Sequence, residues 1–95
     1  MPAIQLTPAD RKEKRGEAHH LDPVVLIGAE GLTAAVLKEA DAALKAHGLI
    51  KVRMFSDVRG DREAALAALA DQLGAAPVQH IGKLLVLWRP IPDRK

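Results

Sequence analysis

Leu84-Leu85-Val86-Leu87-Trp88 is a run of five apolar residues with no polar residue between them. A strand with one wet face alternates apolar and polar side chains, because successive residues point to opposite faces. A strand without that alternation needs cover on both faces and belongs inside a sheet. Just upstream lie Gly82-Lys83 and, before them, the segment Val78 to Ile81, so the pair reads as a β-hairpin around a II′ turn. Pro90 and Pro92 end the last strand.

Further upstream, Leu49 to Phe55 does alternate: Ile50, Val52 and Met54 face one way, Lys51 and Arg53 the other. Val24 to Ile27, between Pro23 and Gly28, is short and β-branched and reads as a buried strand. Three helices separate these segments. Thr7-Pro8-Ala9-Asp10 opens the first, which runs to about His20. Thr33 caps the second, from Ala34 to about His47, with Gly48 behind it and Val36, Leu37, Ala40 and Leu44 as its core stripe. After a loop from Ser56 to Gly60, Asp61 is the expected cap of the third, whose Leu66, Leu69, Ala70 and Leu73 repeat at helical spacing until Gly74 and Pro77 stop it.

The order is αβαβαββ, an α/β (α+β) chain of two to three layers expected to form a single domain over its 95 residues. Right-handed crossovers make strands one, two and three parallel and put helices two and three on one face of the sheet. The hairpin makes strand four antiparallel. As an inner strand it fits between strands two and three, so a four-stranded mixed sheet of order 1-2-4-3 is predicted, with helix one over the other face.

Three features bear on function. Gly28-Ala29-Glu30-Gly31 leaves a strand and enters a capped helix, which lets a phosphate approach backbone N–H groups; two glycines also simply make a tight turn. The loop holding Arg59 and the turn holding Lys83 leave carboxyl ends of parallel strands too, so both are expected on the same rim. Arg11, Lys14 and Arg15 sit at i, i+3 and i+4 of helix one, forming either a basic face or part of a solvated helix. With Lys51 and Arg53 these are the candidate contacts for an anionic partner.

Composition narrows the classes. A net charge of +2 is compatible with such a partner without identifying it. The aromatic residues are Phe55 and Trp88, too few for the stacking rows of RRM or OB modules. Absence of cysteine removes disulfides, thiol catalysis and cysteine-ligated zinc, and fits a reducing compartment. His19, His20, His47 and His80 show no metal-ligand spacing, and the glycine loop lacks the G-K-[ST] ending of a P-loop. No catalytic residue, metal, cofactor or small-molecule substrate is therefore expected. No run reaches membrane-spanning length, and a cytoplasmic protein without membrane contact is expected.

Ala18-His19-His20-Leu21-Asp22-Pro23-Val24-Val25-Leu26-Ile27-Gly28-Ala29-Glu30-Gly31-Leu32-Thr33, then Leu49-Ile50-Lys51-Val52, then Ile81-Gly82-Lys83 with Leu85-Val86-Leu87-Trp88-Arg89-Pro90, resemble the YhbY-like proteins. These are the bacterial stand-alone form of the CRM domain, the chloroplast RNA splicing and ribosome maturation module, and the resemblance spans roughly residues 7 to 90. It implies a fold similar to the C-terminal domain of bacterial translation initiation factor three, and RNA binding without chemistry. The RNA it implies is that of large ribosomal subunit precursors, with ribosomal proteins as possible neighbours. Under it, Gly28 to Gly31 is the family's G-x-x-G loop, Lys51 its basic strand residue, Lys83 its turn lysine and Arg89 its terminal arginine. Departures are Glu30, where members often carry a basic or neutral polar residue, Asp22 before the proline, and Lys14 and Glu17 where relatives tend to show leucine. The alternative is a small adaptor that contacts ribosomal or other proteins through its alanine-rich helices. Salt separates the two, since phosphate contacts weaken steeply with ionic strength.

Overall fold

The computed structural model describes residues 3–91, so Pro92 lies outside the described residues. The elements are α1 (Pro8–Ala18), β1 (Val25–Ile27), α2 (Ala34–His47), β2 (Leu49–Met54), α3 (Arg59–Leu73), β3 (Ala76–Ile81) and β4 (Leu84–Trp88). The sheet order is β1-β2-β4-β3, with β1 parallel to β2 and β4 antiparallel to both β2 and β3. The unbroken apolar run is thus an inner strand, and Leu85, Val86 and Leu87 are all buried. Its hairpin has the expected geometry. Gly82 has φ +54°, and no non-glycine among the described residues has positive φ, which is the II′ pattern.

Helices α2 and α3 cover one face. There Val25, Ile27, Ile50, Val52, Met54, Leu85 and Leu87 meet Ala40, Leu44, Ala65, Leu69 and Leu73. Small alanines at the helix contact let leucines from both sides reach the sheet. On the other face α1 lies over β2, β3 and β4. A smaller cluster forms there from Ala18, Val78 and Val86, with Leu6, Leu21, Leu49 and Trp88 packed against it. Thr7 Oγ accepts the Asp10 N–H at 3.1 Å and Thr33 Oγ accepts the Val36 N–H at 3.2 Å, so both threonines cap as their positions suggest.

Four details differ from the sequence reading. First, α1 stops at Ala18 rather than near His20, as the chain turns there to bring Leu21 onto the sheet. Second, α3 begins at Arg59 with Val58 at its cap position, and Asp61 lies inside the first turn. Ser56 Oγ accepts the Val58 N–H at 3.2 Å, so the helix entry is shaped two residues ahead of the cap position instead of by Asp61. Third, β3 begins at Ala76, and Pro77 lies within it beside a register shift between Pro77 and Gln79. Proline is tolerated there because β3 is an edge strand. Fourth, β1 is not buried on both faces: Val24 is 47% and Leu26 55% exposed. β1 is the other edge strand, and α1, lying over β2, β3 and β4, leaves it uncovered.

Two long-range ties close the structure. Gly48 ends α2 at φ +77°, and a Cβ there would meet Ile91 Cγ1 at 3.1 Å and the Arg89 carbonyl at 3.3 Å, so glycine answers both a backbone and a space requirement. Arg89 Nη1 donates to Asp41 Oδ1 at 2.8 Å and to the Leu73 carbonyl at 2.9 Å, while Nη2 donates to the Asp41 carbonyl at 3.1 Å. One guanidinium therefore joins the end of β4 to α2 and to the last turn of α3. The hydrogen bond from Arg89 holds the Asp41 carboxyl below its ordinary pKa, with Lys45 adding to the effect and burial opposing it.

Candidate nucleic-acid interface

The Gly28–Gly31 loop is a closed turn. The Gly31 N–H donates to the Gly28 carbonyl at 3.1 Å, and Gly31 has φ +75°, a conformation that asks for glycine. The Thr33 N–H donates to the Gly31 carbonyl at 3.1 Å, and the Thr33 hydroxyl then takes the Val36 N–H. Loop and cap thus use several of their own donors. Ala34 and Ala35, in the first turn of α2, have no helical acceptor for their N–H groups, as in any helix start. Ala29 and Glu30 stand exposed at the tip.

The three loops predicted to share a rim do lie side by side. The Phe55 N–H donates to the Ile27 carbonyl at 3.0 Å, and the Met54 N–H to the Lys83 carbonyl at 2.8 Å. Between the glycine loop and the start of α3 runs an open groove of about 770 Å³, lined among others by Gly28, Gly31, Leu32, Phe55 and Val58. The rim's charges, however, are matched. Lys83 Nζ lies 3.1 Å from Asp57 and Arg59 Nε 3.2 Å from Glu63. Asp57 and Asp61 also line the groove, and Glu30 sits on the loop. Such exposed pairs are worth about 0–1 kcal/mol, so a phosphate can exchange with either carboxylate, but the rim holds no surplus of positive charge.

Cations outside ion pairs lie on the α1 side of the sheet, where Glu17 and Asp22 line a pocket together with Lys51. Lys51 and Arg53 point to that side, opposite the buried Ile50, Val52 and Met54. Arg11 and Arg15 stand exposed on α1, the helix that lies over β2, β3 and β4 on this side. Lys14, between them, turns toward the sheet, and its Nζ sits 4.7 Å from the centre of the Trp88 ring. A lysine can serve at this half-buried helix position because its ammonium meets the π face of the ring while its apolar stem packs. Among the described residues none of Arg11, Lys14, Arg15, Lys51 and Arg53 forms an ion pair.

Arg89 does not join either surface. Its side chain is 12% exposed and engaged with Asp41 and the Leu73 carbonyl, which ties the end of β4 to α2 and α3. Nothing local announces this, because Asp41 is remote in sequence. Phe55 was missed as a surface residue. It is 51% exposed, and the Arg53 guanidinium carbon lies 5.2 Å from its ring centre. A signal was available, since Lys51, Arg53 and Phe55 share one parity of the alternating strand. Arg62 was missed as well: its Nη1 donates to the Ser56 carbonyl at 2.6 Å and its Nε to His80 Nε2 at 3.1 Å, bracing the rim from inside.

Comparison with known proteins gives consistent matches along the chain. An RNA-binding protein of Haemophilus influenzae is 42% identical over 93 residues, covering 95% of this chain and 94% of that one. A probable RNA-binding protein of Pseudomonas aeruginosa is 40% identical over 89 residues, covering 94% of this chain and 86% of the other. The solution structure of a Staphylococcus aureus protein is similar with a TM-score of 0.85 at 28% identity, covering 96% of this chain and 95% of that one. With the inner apolar strand, the glycine loop and the basic sheet face in place, and the CRS1/YhbY (CRM) domain model matching residues 6–89, the chain belongs to the CRS1/YhbY (CRM) domain family.

Proposed function

We propose that this protein binds RNA through the phosphate backbone, with the α1 side of the sheet as its main electrostatic surface and the Gly28–Gly31 loop as a flanking contact. The observation that carries this reading is that Arg11 and Arg15 on α1, and Lys51 and Arg53 on the sheet face that α1 lies against, form no ion pair among the described residues. A cation without an internal partner is held in water and meets a phosphate with little rearrangement. Lys83 and Arg59 must first leave Asp57 and Glu63, so they contribute less. The name of the Haemophilus influenzae relative supports the same partner class. As the RNA we assign ribosomal RNA in precursors of the large subunit, the partner implied by the YhbY-like motifs, with ribosomal proteins as neighbours on the assembling particle.

Each neutralised phosphate releases counterions, so four contacts give a log–log salt slope of roughly −3 to −4 on duplex RNA. Fluorescence anisotropy with a structured RNA over a series of potassium chloride concentrations measures it. A flat slope overturns the reading. Sucrose-gradient sedimentation of a cell lysate tests the assignment to ribosomal particles: the protein is expected with precursors of the large subunit, and recovery only at the top of the gradient overturns that part.

A further inference from the structure

The sheet's uncovered end presents one row of side chains that crosses all four strands. Leu26 of β1 pairs with Arg53 of β2, Arg53 with Leu84 of β4, and Leu84 with Ile81 of β3. α1 shields the rows behind it, leaving Leu26 55% and Ile81 53% exposed. Phe55, two residues beyond Arg53 on the same side, adds a half-exposed aromatic ring, which the Arg53 guanidinium meets at 5.2 Å. The patch is apolar at its two edges, cationic in the middle and aromatic at the end next to the Gly28–Gly31 loop.

That composition selects its occupant. A purely apolar protein surface would strip water from Arg53 and leave a charge without a partner, which is costly. An acidic protein surface would satisfy Arg53 but would press carboxylates against Leu26, Phe55 and Ile81. A nucleotide answers both demands, because its base has an apolar π face and its phosphate carries the charge. Lys51, one step back along β2 on the same side, adds a second cation for the connecting phosphate. One aromatic cannot hold a row of bases as RRM or OB sheets do, but it can hold one.

We propose that the row Leu26–Arg53–Leu84–Ile81 with Phe55 is a stacking platform for a single unpaired base, so that the protein prefers RNA with an unpaired base over fully paired RNA. The base lies on the exposed part of the Phe55 ring and against Leu26, while Arg53 and Lys51 hold its flanking phosphates. This rests on the RNA-binding reading above and adds to it a structural preference that phosphate contacts alone do not supply.

The test uses two hairpin RNAs that differ only by one bulged base, with 2-aminopurine at the bulge as a fluorescent reporter. The wild-type protein should bind the bulged RNA more tightly and change the 2-aminopurine emission. Phe55→Ala should weaken binding of the bulged RNA on the order of tenfold and abolish the emission change, while leaving the fully paired RNA within about twofold. Phe55→Trp should restore both, which separates stacking from a fold defect. Equal affinity of wild type for the two RNAs, or an equal loss on both in Phe55→Ala, overturns the platform while leaving backbone binding standing. No salt-dependent binding of either RNA overturns both readings. Sedimentation equilibrium covers the remaining occupant: a wild-type dimer that Leu26→Ser or Phe55→Ala converts to monomer makes the patch a self-association face and overturns the platform.

Discussion

The glycine-loop rim and the α1 side of the sheet both carry cations, yet their surroundings differ. On the rim Lys83 faces Asp57 and Arg59 faces Glu63, with Glu30 and Asp61 close by. On the α1 side Lys51 and Arg53 share their strand face with apolar residues, and Arg11 and Arg15 stand in water. The first region offers backbone donors and a groove whose cations are held in ion pairs; the second offers cations outside ion-pair distance of any carboxylate among the described residues, with Glu17 and Asp22 lining the pocket beside Lys51. Counting lysines and arginines along the chain does not separate the two, because what a phosphate meets is the charge left after internal pairing.

This contrast can be broken by charge removal, and the largest expected effect is there. Arg11→Ala, Arg15→Ala and Lys51→Ala together should lower RNA affinity at moderate salt by at least tenfold and make the log–log salt slope shallower by roughly 2 to 3, at about 0.9 per phosphate. Arg59→Ala with Lys83→Ala should change the slope by about one or less on the same basis. If the two sets behave alike in anisotropy titrations, internal pairing does not govern the surface.

Arg89→Ala separates structure from binding. It leaves Asp41 and the Leu73 carbonyl without their donor and should cost about 1–3 kcal/mol in urea unfolding, with the salt slope for RNA unchanged. The pH dependence follows from Asp41. Its carboxyl is held below the ordinary range by the Arg89 hydrogen bond, so the stabilisation is present above the unfolded pKa and is lost as pH falls through the lower, folded one. The stability difference between wild type and Asp41→Asn should therefore be full near neutral pH and shrink below about pH 4. A change in salt slope with Arg89→Ala would return this arginine to the interface.

Smaller effects sharpen the rim's part. Asp57→Ala releases Lys83, and Glu30→Lys reverses a charge at the loop tip; each should tighten RNA binding by a few-fold, on the order of 1 kcal/mol at most for exposed charges. Unchanged affinity in both variants reduces the rim to a turn. Smallest is Lys14→Ala, which removes the cation over Trp88 and should lower stability by about 0.5–1 kcal/mol in thermal or urea melts. A loss of RNA binding without a loss of stability would instead place Lys14 among the phosphate contacts.

Much of the architecture was legible because its signals are local. The unalternating Leu84–Trp88 run demanded an inner strand, Thr7 and Thr33 marked helix starts by their own hydroxyls, and Gly48 and Gly74 marked helix ends by their backbone freedom. Each of these depends on a few neighbouring residues. The helix start at Arg59 was misplaced because Ser56 and Asp61 are both capping types, and only the backbone path decides between them. β1 was misread because a short β-branched run looks the same whether one of its faces is covered or not.

The sequence by itself determined the element order, the parity of β2 that sets Lys51 and Arg53 apart from the core, and the inner place of β4, since periodicity and chain connectivity are one-dimensional properties. Tertiary structure alone decided which cations remain available. Lys83 found Asp57 between two loops, Arg89 found Asp41 on another element, and Lys14 found Trp88 where α1 packs on the sheet, whereas Arg59 pairs with Glu63 locally, one turn along its own helix. It also decided that Leu26 and Phe55 reach solvent, because the length and placement of α1 set how much of the sheet it covers. Contact ion pairs need their charged atoms within about 4 Å and cation–π contacts within about 6 Å, so long-range pairing depends on where the fold brings side chains together and not on how far apart they stand in the chain.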